Sequence, residues 1–258
     1  MWPLENVGAV ASTQQCVRDR LLDPSGAAAQ QAFGLFSLEQ RAGVGQHGRY
    51  WVHAGEALAC SLAWPLPRAA ANAGATAPWP IRVSALISSA LERALALPER
   101  VISIKWPNDL YFEDRKCGGV LVTQVRCGPV TWLIAGIGLN LRWHEPPRGF
   151  LASGLLERSY LRVDEPLALA LVQAMAVAME PLAAEVEPVR DWGLEFAARD
   201  WLRGKPVQLL HPITGATLAQ GVAQGIDERG WLALLSPQGE TQHVAIGEAS
   251  ARPQGGQA

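Results

Sequence analysis

The chain has 258 residues, of which 49% are hydrophobic and 18% are charged, and its formal net charge at pH 7 is −2. A chain of this length can bury a sizeable core in one large domain, or in a large and a small one. The near-balanced charge gives no electrostatic footprint for nucleic acid, and the four cysteines form neither a metal-type CxxC pair nor a dense disulfide pattern.

The N-terminal residues contain no basic segment followed by an apolar run, so the sequence predicts no secretion signal. The Ala/Leu-rich runs further along are interrupted by Arg, Glu and Gln, and we expect none of them to span a membrane. Together with the cysteine usage, these features indicate a soluble cytoplasmic protein without nucleic-acid or membrane partners.

The first predicted elements are a short strand that starts at Gly8 and a helix that follows it. Ser12 and Thr13 are good N-cap residues for a helix that carries Cys16 to Leu22, and capping alone would explain them. Residues 32–39 then predict an apolar strand.

A glycine-rich segment follows this strand, with Gly43, Gly45 and Gly48 within six residues. Successive backbone N–H groups in such a turn can bind an anion, and glycine lets the backbone approach a phosphate closely. The pattern matches neither the P-loop nor the dinucleotide motif, because no helix-forming run follows it. An ordinary surface turn is the more frequent explanation of such a segment.

The next predicted elements are a strand over residues 57–64 and an amphipathic helix over 83–97, then two strands within 101–125 around a polar connection. Two of the chain's three lysines, Lys105 and Lys116, lie in this last stretch, together with Asn108 and Asp109. A lysine ammonium is a compact point charge that suits an oxyanion or a phosphate. A solvated lysine pair on a hairpin, with ordinary turn residues between, is the open alternative.

The second half of the chain predicts an apolar strand over 130–139 that leads to Asn140, a loop over 143–162 and two helices. Asp164 caps the first helix, which Pro181 ends or kinks, and the second covers about 189–202. Four short strands after Gly204 predict a small β module. We therefore divide the chain into a domain of residues 1–202, a module of 203–253 and a disordered tail of 254–258.

The chemistry-bearing residues of these elements are mainly cations and N–H donors with one carboxylate. No nucleophile–base pair is readable, and the five histidines lack metal-ligand spacing, so we expect no metal site. Such a set suits the activation of an acid by a nucleotide without a covalent enzyme intermediate.

Two segments at a fixed distance resemble the signature of biotin protein ligases. They are Lys105-Trp106-Pro107-Asn108-Asp109-Leu110-Tyr111 and Lys116-Cys117-Gly118-Gly119-Val120-Leu121. The resemblance implies an α+β fold, with a mixed-sheet catalytic domain similar to class II aminoacyl-tRNA synthetases and a small SH3-like C-terminal domain. It implies that biotin and MgATP form biotinyl-5′-AMP, and that a lysine of a biotin carboxyl carrier protein then takes the biotinyl group.

The resemblance also assigns roles to individual residues. The implied catalytic residues are Lys116 and Arg49. The implied biotin-binding residues are Ser12, Thr13, Gln40, Gly45, Gln46, Lys116 and Gly119. The implied nucleotide-binding residues are Gly43, Gly48, Arg49, Trp51, Lys105, Asn108, Asp109 and Asn140. The implied partner is the carrier protein of acetyl-CoA carboxylase or a related carboxylase, and the implied assembly is a monomer or a weak homodimer.

Two positions depart from the family pattern. Val44 stands where the glycine loop usually has an arginine, and Gln14 stands where an asparagine usually follows Ser-Thr. Because only about ten residues precede Ser12, we expect no DNA-binding domain and no repressor role. Two alternatives stay open: a lipoate or octanoate ligase or transferase of the same fold, and a non-catalytic protein that binds biotin or its adenylate.

Overall fold

A seven-stranded mixed β-sheet is the centre of the fold in the computed structural model, which describes residues 1–23, 31–51, 55–66, 78–143, 152–183, 192–246 and 250–253. In spatial order its strands are β1 (Leu4–Asn6), β3 (Phe33–Ser37), β5 (Gly55–Pro65), β9 (Val130–Trp143), β8 (Arg115–Cys127), β7 (Asp109–Phe112) and β6 (Ile102–Lys105). β1 runs parallel to β3, and the other neighbours in this sheet are antiparallel. The short strands β2 (Ala9–Val10) and β4 (Glu39–Gln40) form a separate parallel pair.

Four α-helices and one 3-10 helix (Gln46–Gly48) are present in the described part of the chain. The α-helices are α1 (Thr13–Leu22), α2 (Trp79–Ala94), α3 (Glu165–Ala183) and α4 (Trp192–Ala197). The predicted caps of α1 and α3 are confirmed, because Ser12 Oγ accepts from the Gln15 N–H and Asp164 Oδ1 accepts from the Leu167 N–H. α2 begins four residues earlier than its apolar period indicates, with a proline in its first turn.

The helices cover the sheet on both faces, because side chains of successive strand residues point to opposite sides. On β5, Leu62 and Trp64 face the larger apolar cluster with α2 and α3, whereas Ala63 faces a smaller cluster with α1. The observed fold is therefore α+β, as expected, with one mixed sheet between unequal helical layers.

Helix α3 is long and apolar enough, by length and composition alone, to cross a membrane. The Ala/Leu-rich run in α3 is thus less interrupted than expected from the sequence, and the absence of a membrane span stays a prediction. The core helix of a globular protein passes the same test, and α3 packs against α2 and the strands β1, β3 and β5. Six of its residues are buried: Ala168, Leu171, Val172, Met175, Ala176 and Met179.

The C-terminal strands form a five-stranded antiparallel sheet. In spatial order they are β13 (Thr241–Val244), β12 (Leu232–Leu235), β11 (Thr217–Ile226), β10 (Pro206–Leu210) and β14 (Ser250–Pro253). Four of them coincide with predicted strands, and β14 was not predicted because it is short and lacks alternation. The SH3-like assignment and the boundary at 202/203 stay predictions, and the tail 254–258 lies outside the described residues.

The C-terminal sheet is joined to the large domain through the lysine-containing stretch. The buried indole of Trp106 donates its Nε1–H to the Gly230 carbonyl, at 2.9 Å. Gly230 has a φ of 78°, and a Cβ there would lie 2.6 Å from the Pro78 side chain. Glycine is therefore required at this contact for both backbone conformation and space.

Candidate active site

A single cavity of about 730 Å³ brings together most of the residues that the resemblance singles out. It lies on the sheet between the glycine loop, the lysine stretch and strand β14. Its lining includes Ser12, Thr13, Gln40, Gly45, Gln46, Arg49, Trp51, Lys105, Asn108, Asp109, Lys116, Gly119 and Asn140. Gly43 and Gly48 are not among the lining residues that the structure describes.

Strand register explains why both lysines meet one carboxylate. Lys105 pairs with Asp109 between β6 and β7, and Tyr111 pairs with Lys116 between β7 and β8. A bulge between Leu110 and Tyr111 resets the alternation, so these side chains share the cavity face. Lys116 Nζ lies 2.5 Å from Asp109 Oδ1, and Lys105 Nζ lies 3.9 Å from Asp109 Oδ2. The two lysines are therefore not simply a solvated pair on a hairpin, because both face the cavity.

Lys105 is the more buried of the two lysines, with 15% of its side chain exposed. Burial lowers the pKa of Lys105 below its usual value, since an ammonium loses hydration in this position. The Asp109 carboxylate opposes this shift, whereas the charges of Lys116, Arg252 and Arg49 add to it. Lys105 thus lies near one carboxylate and three other cations.

The opposite end of the cavity is a hydrogen-bonded polar group at the start of α1. The Thr13 N–H donates to Gln40 Oε1 at 2.8 Å, and Thr13 Oγ1 lies 2.9 Å from Ser61 Oγ. Thr13 and Ser61 are buried, and Gln14 donates its side-chain N–H to Thr123 Oγ1 and the Leu121 carbonyl nearby. Sequence reasoning missed Ser61, because a serine inside an apolar strand carries no local signal.

The glycine loop is a small hairpin closed by its own backbone. Val44 and Tyr50 form an isolated antiparallel bridge, the Gly45 N–H donates to the Arg49 carbonyl at 2.7 Å, and the Trp51 N–H donates to the Gly43 carbonyl at 2.8 Å. Both donors are thus engaged within the loop in this structure. Val44 lines the cavity, and 49% of its surface is exposed.

Glycines on the sheet provide a flat surface on which Trp51 rests. A Cβ at Gly138 would lie 2.7 Å from Trp51 Cε2, and a Cβ at Gly119 would lie 3.4 Å from Trp51 Cζ3. Lys116 Nζ lies 5.6 Å from the centroid of the same ring. The close approach at Gly138 therefore fixes the end of the glycine loop against the sheet, beside Lys116.

The two asparagines of the site bond mainly to backbone. Asn108 Nδ2 donates to the Val120 carbonyl at 2.6 Å, and Asn140 Nδ2 lies 3.5 Å from the Lys116 carbonyl. Asn140 is buried, and its Oδ1 has no hydrogen-bond partner among the residues the structure describes. This oxygen is an acceptor on the cavity wall, where a ligand donor would complete it.

Several further residues line the cavity, among them Arg252, Asp114, Trp201 and Tyr111, of which only Tyr111 belongs to the two segments that resemble the family signature. Arg252 comes from the unpredicted strand β14 and contributes a cation near Lys105. Asp114, Trp201 and Tyr111 form a group where the large domain meets the C-terminal sheet. Trp201 and Arg252 are far from Tyr111 and Asp114 in the chain, so only the tertiary fold brings them to the site.

The model of the "Biotin/lipoate A/B protein ligase family" matches residues 11–140 of this chain. That match covers both the polar end of the cavity and the whole lysine stretch. The chain belongs to the biotin/lipoate A/B protein ligase family.

Individual members of the family agree with this assignment. Over 219 residues the chain is 30% identical to the bifunctional ligase/repressor BirA of Escherichia coli strain K12, covering 83% of this chain and 64% of BirA. Over 217 residues it is 30% identical to the biotin–[acetyl-CoA-carboxylase] ligase of Paracoccus denitrificans, covering 80% and 85%. The chain thus spans slightly less than two thirds of the length of BirA.

The fold agrees with solved structures of biotin protein ligases. The Aquifex aeolicus biotin protein ligase in complex with biotin and ATP superposes with a TM-score of 0.74 at 24% identity, covering 98% of this chain and 100% of that one. The Leishmania major enzyme in complex with biotinyl-5-AMP gives a TM-score of 0.59 at 20% identity, with coverages of 95% and 99%.

Proposed function

We propose that this chain is a biotin–protein ligase that converts biotin and ATP to biotinyl-5′-AMP and then transfers the biotinyl group to a lysine of a carrier protein. The observation that carries the proposal is the contact of Lys116 with Asp109 inside one cavity of a biotin/lipoate ligase fold. An ammonium at this place can stabilise an acid while it is activated, which a simple binding protein would not need.

The two ends of the cavity suit the two parts of the reaction. Thr13, Gln40 and Ser61 offer donors and acceptors for the polar ring of biotin, beside the apolar lining of Cys60 and Ile137. The resemblance adds Ser12, Gly45, Gln46 and Gly119 to this end. The biotin carboxylate would then lie toward Lys116, where the ammonium can exchange Asp109 for the substrate.

The cationic wall supports nucleotide binding. In the first step an oxygen of the biotin carboxylate attacks the α-phosphorus of ATP, the P–O bond to the β-phosphate breaks, and pyrophosphate leaves. Arg49, Lys105 and Lys116 line the cavity as cations that can oppose the charge of the phosphates, and Arg252 adds a fourth. In our proposal Asn108 and Asp109 organise this end, and Trp51, Gly43 and Gly48 shape the loop over it.

Magnesium would enter with the nucleotide. The described residues contain no group of three His, Cys, Asp or Glu side chains that could hold a metal ion. The site can still accept the ion, because Mg²⁺ commonly uses one or two carboxylates together with substrate phosphates, and Asp109 is available on the wall. The ion would offset phosphate charge.

In the second step the carrier lysine attacks the acyl carbon of the mixed anhydride, and AMP leaves. The name of the Paracoccus relative supports a carboxylase carrier as partner. We further propose that the reaction takes place in the cytoplasm. We also propose that the protein is a monomer or a weak homodimer, that it binds no nucleic acid, and that its domain boundary lies at 202/203.

Transfer to a carrier domain tests this function. The chain is incubated with MgATP, an unmodified biotin carboxyl carrier domain and either biotin, lipoate or octanoate, and the mass of the carrier is measured. Biotinylation at one lysine is the expected result. Modification by lipoate or octanoate alone would favour the other branch of the family, and biotin binding without AMP formation would favour a binding protein.

A further inference from the structure

The third lysine of the chain, Lys205, lies on an aromatic ring at the edge of the cavity. Its Nζ is 3.4 Å from the centroid of the Trp201 ring. The Trp201 indole donates its Nε1–H to Asp114 Oδ1 at 2.8 Å, and Tyr111 packs on the same indole with ring centroids 4.5 Å apart. An aromatic face beside a carboxylate is the arrangement by which proteins bind an ammonium group.

This ammonium site is next to the proposed reacting centre. Tyr111, Asp114 and Trp201 all line the cavity, whereas Lys205 is not among its described lining residues. Tyr111 is the cross-strand partner of Lys116, so the two side chains lie on the same face of the sheet. Tyr111 therefore connects the two places: its ring packs on Trp201, and its strand pairs with the strand that carries Lys116.

An acceptor lysine needs such a site because the cavity is cationic. Lys105, Lys116, Arg49 and Arg252 line it, and the Asp109 carboxylate is already shared between the two lysines. A protonated lysine from another protein is repelled by these charges until it reaches a carboxylate or an aromatic face. Trp201 and Asp114 provide both at the cavity edge.

Lys205 has a simpler explanation as a cross-link between the large domain and the C-terminal sheet. The geometry also allows a replaceable occupant, because an exchange of one lysine ammonium for another leaves the interactions of the ring and the carboxylate unchanged.

We propose that Trp201 and Asp114 form the docking site for the acceptor lysine of the carrier protein, and that Lys205 occupies this site until the carrier displaces it. The inference rests on the proposed function. After docking, the ammonium loses one proton to solvent water, and the amine nitrogen forms the bond to the acyl carbon of biotinyl-AMP. The nitrogen then loses a second proton to solvent water, and the C–O bond to phosphate breaks. AMP leaves with the electron pair of that bond.

Single-turnover transfer from preformed biotinyl-AMP tests the site with two nucleophiles. One is an unmodified carrier domain, whose lysine is charged before reaction, and the other is hydroxylamine, which is neutral at pH 7.5.

Asp114→Asn should raise the KM for the carrier about tenfold, and Lys205→Ala should lower it severalfold because the competitor is gone. The rate with hydroxylamine relative to that of the carrier should rise in Asp114→Asn. The KM of Trp201→Phe for the carrier should lie between those of the unchanged protein and Trp201→Leu, because phenylalanine keeps an aromatic face.

If Lys205 is only a structural cross-link, the KM of Lys205→Ala for the carrier should not fall. In that case Lys205→Ala would raise the KM for the carrier or slow both nucleophiles equally, and either result would overturn the docking site. Thermal melts of each variant identify loss of folding separately. If the unchanged protein forms no biotinyl-AMP, the proposed function fails as well, whereas normal adenylate formation with equal KM values in all variants overturns the lysine site alone.

Discussion

The ammonium of Lys116 lies 2.5 Å from the carboxylate of Asp109, and these two residues come from neighbouring strands of one sheet. With 35% and 24% of their side chains exposed, a pair of this kind contributes at most about 1 kcal/mol to stability. Its value is therefore in holding a cation at the cavity wall, ready for an anionic ligand. Both half-reactions of the proposed ligase develop negative charge at that place.

Lys105 should lower the stability of the folded protein and support its activity. Because burial lowers its pKa, the folded protein disfavours the ammonium, and stability rises with pH up to the usual lysine value of 10.5. Lys105→Met should therefore raise the Tm at pH 7, and this gain should shrink toward pH 10.5. The KM for ATP should rise roughly tenfold, because a phosphate-facing cation is lost. A Tm gain that is constant with pH would contradict the assigned cause.

Gly138 should be needed for the position of Trp51 rather than for backbone conformation. A Cβ at this position would lie 2.7 Å from the indole, so Gly138→Ala should displace Trp51 and lower kcat/KM by roughly tenfold or more. Gly119→Ala is compared by the displacement of Trp51 alone, because Gly119 is also assigned to biotin; its Cβ would be 3.4 Å from the same ring, and the displacement should be smaller. Tryptophan fluorescence measures the displacement in both variants, steady-state kinetics measures kcat/KM for Gly138→Ala, and equal displacements would refute the steric argument.

Val44 should allow faster release of biotinyl-AMP than an arginine at the same position would. Val44 is half exposed and lines the cavity, at the position where the family usually has an arginine that can contact an anion. Val44→Arg should therefore slow the release of biotinyl-AMP severalfold in a chase experiment with excess unlabelled biotin. Val44→Gln, which adds length without charge, is the control. Release from Val44→Arg that equals or exceeds that of the unchanged protein would refute the prediction.

Asp200 should destabilise the protein at neutral pH. Burial raises its pKa to about 6, and its Oδ2 has no hydrogen-bond partner among the described residues. The folded state thus favours the protonated form, so the contribution of Asp200 to stability is present at low pH and is lost as the pH rises through about 6. Asp200→Asn should stabilise the protein by up to about 2 kcal/mol at pH 7.5. Urea unfolding at pH 7.5 and pH 4 measures the difference, which should be close to zero at pH 4; an equal gain at both values would contradict it.

Local sequence patterns carry much of this architecture. The Ser12 cap, the Asp164 cap and the boundaries of β11 were predictable because capping and alternation are local signals. The approach of Lys116 to Asp109 was not, since it depends on a register shift between Leu110 and Tyr111. Ser61, Arg252 and Trp201 were missed for the same kind of reason: each reaches the cavity through tertiary packing.

Pyrophosphate release from ATP, measured with and without biotin, tests the central claim most directly. The unchanged protein should release pyrophosphate only with biotin, and Lys116→Ala should reduce the rate by roughly 100-fold or more, since a preorganised charge at the reacting centre is lost. Arg126→Ala, which removes an exposed cation from the same strand, should leave the rate unchanged. Release that is independent of biotin, absent with biotin, or unaffected by Lys116→Ala would contradict the proposed reaction at this site.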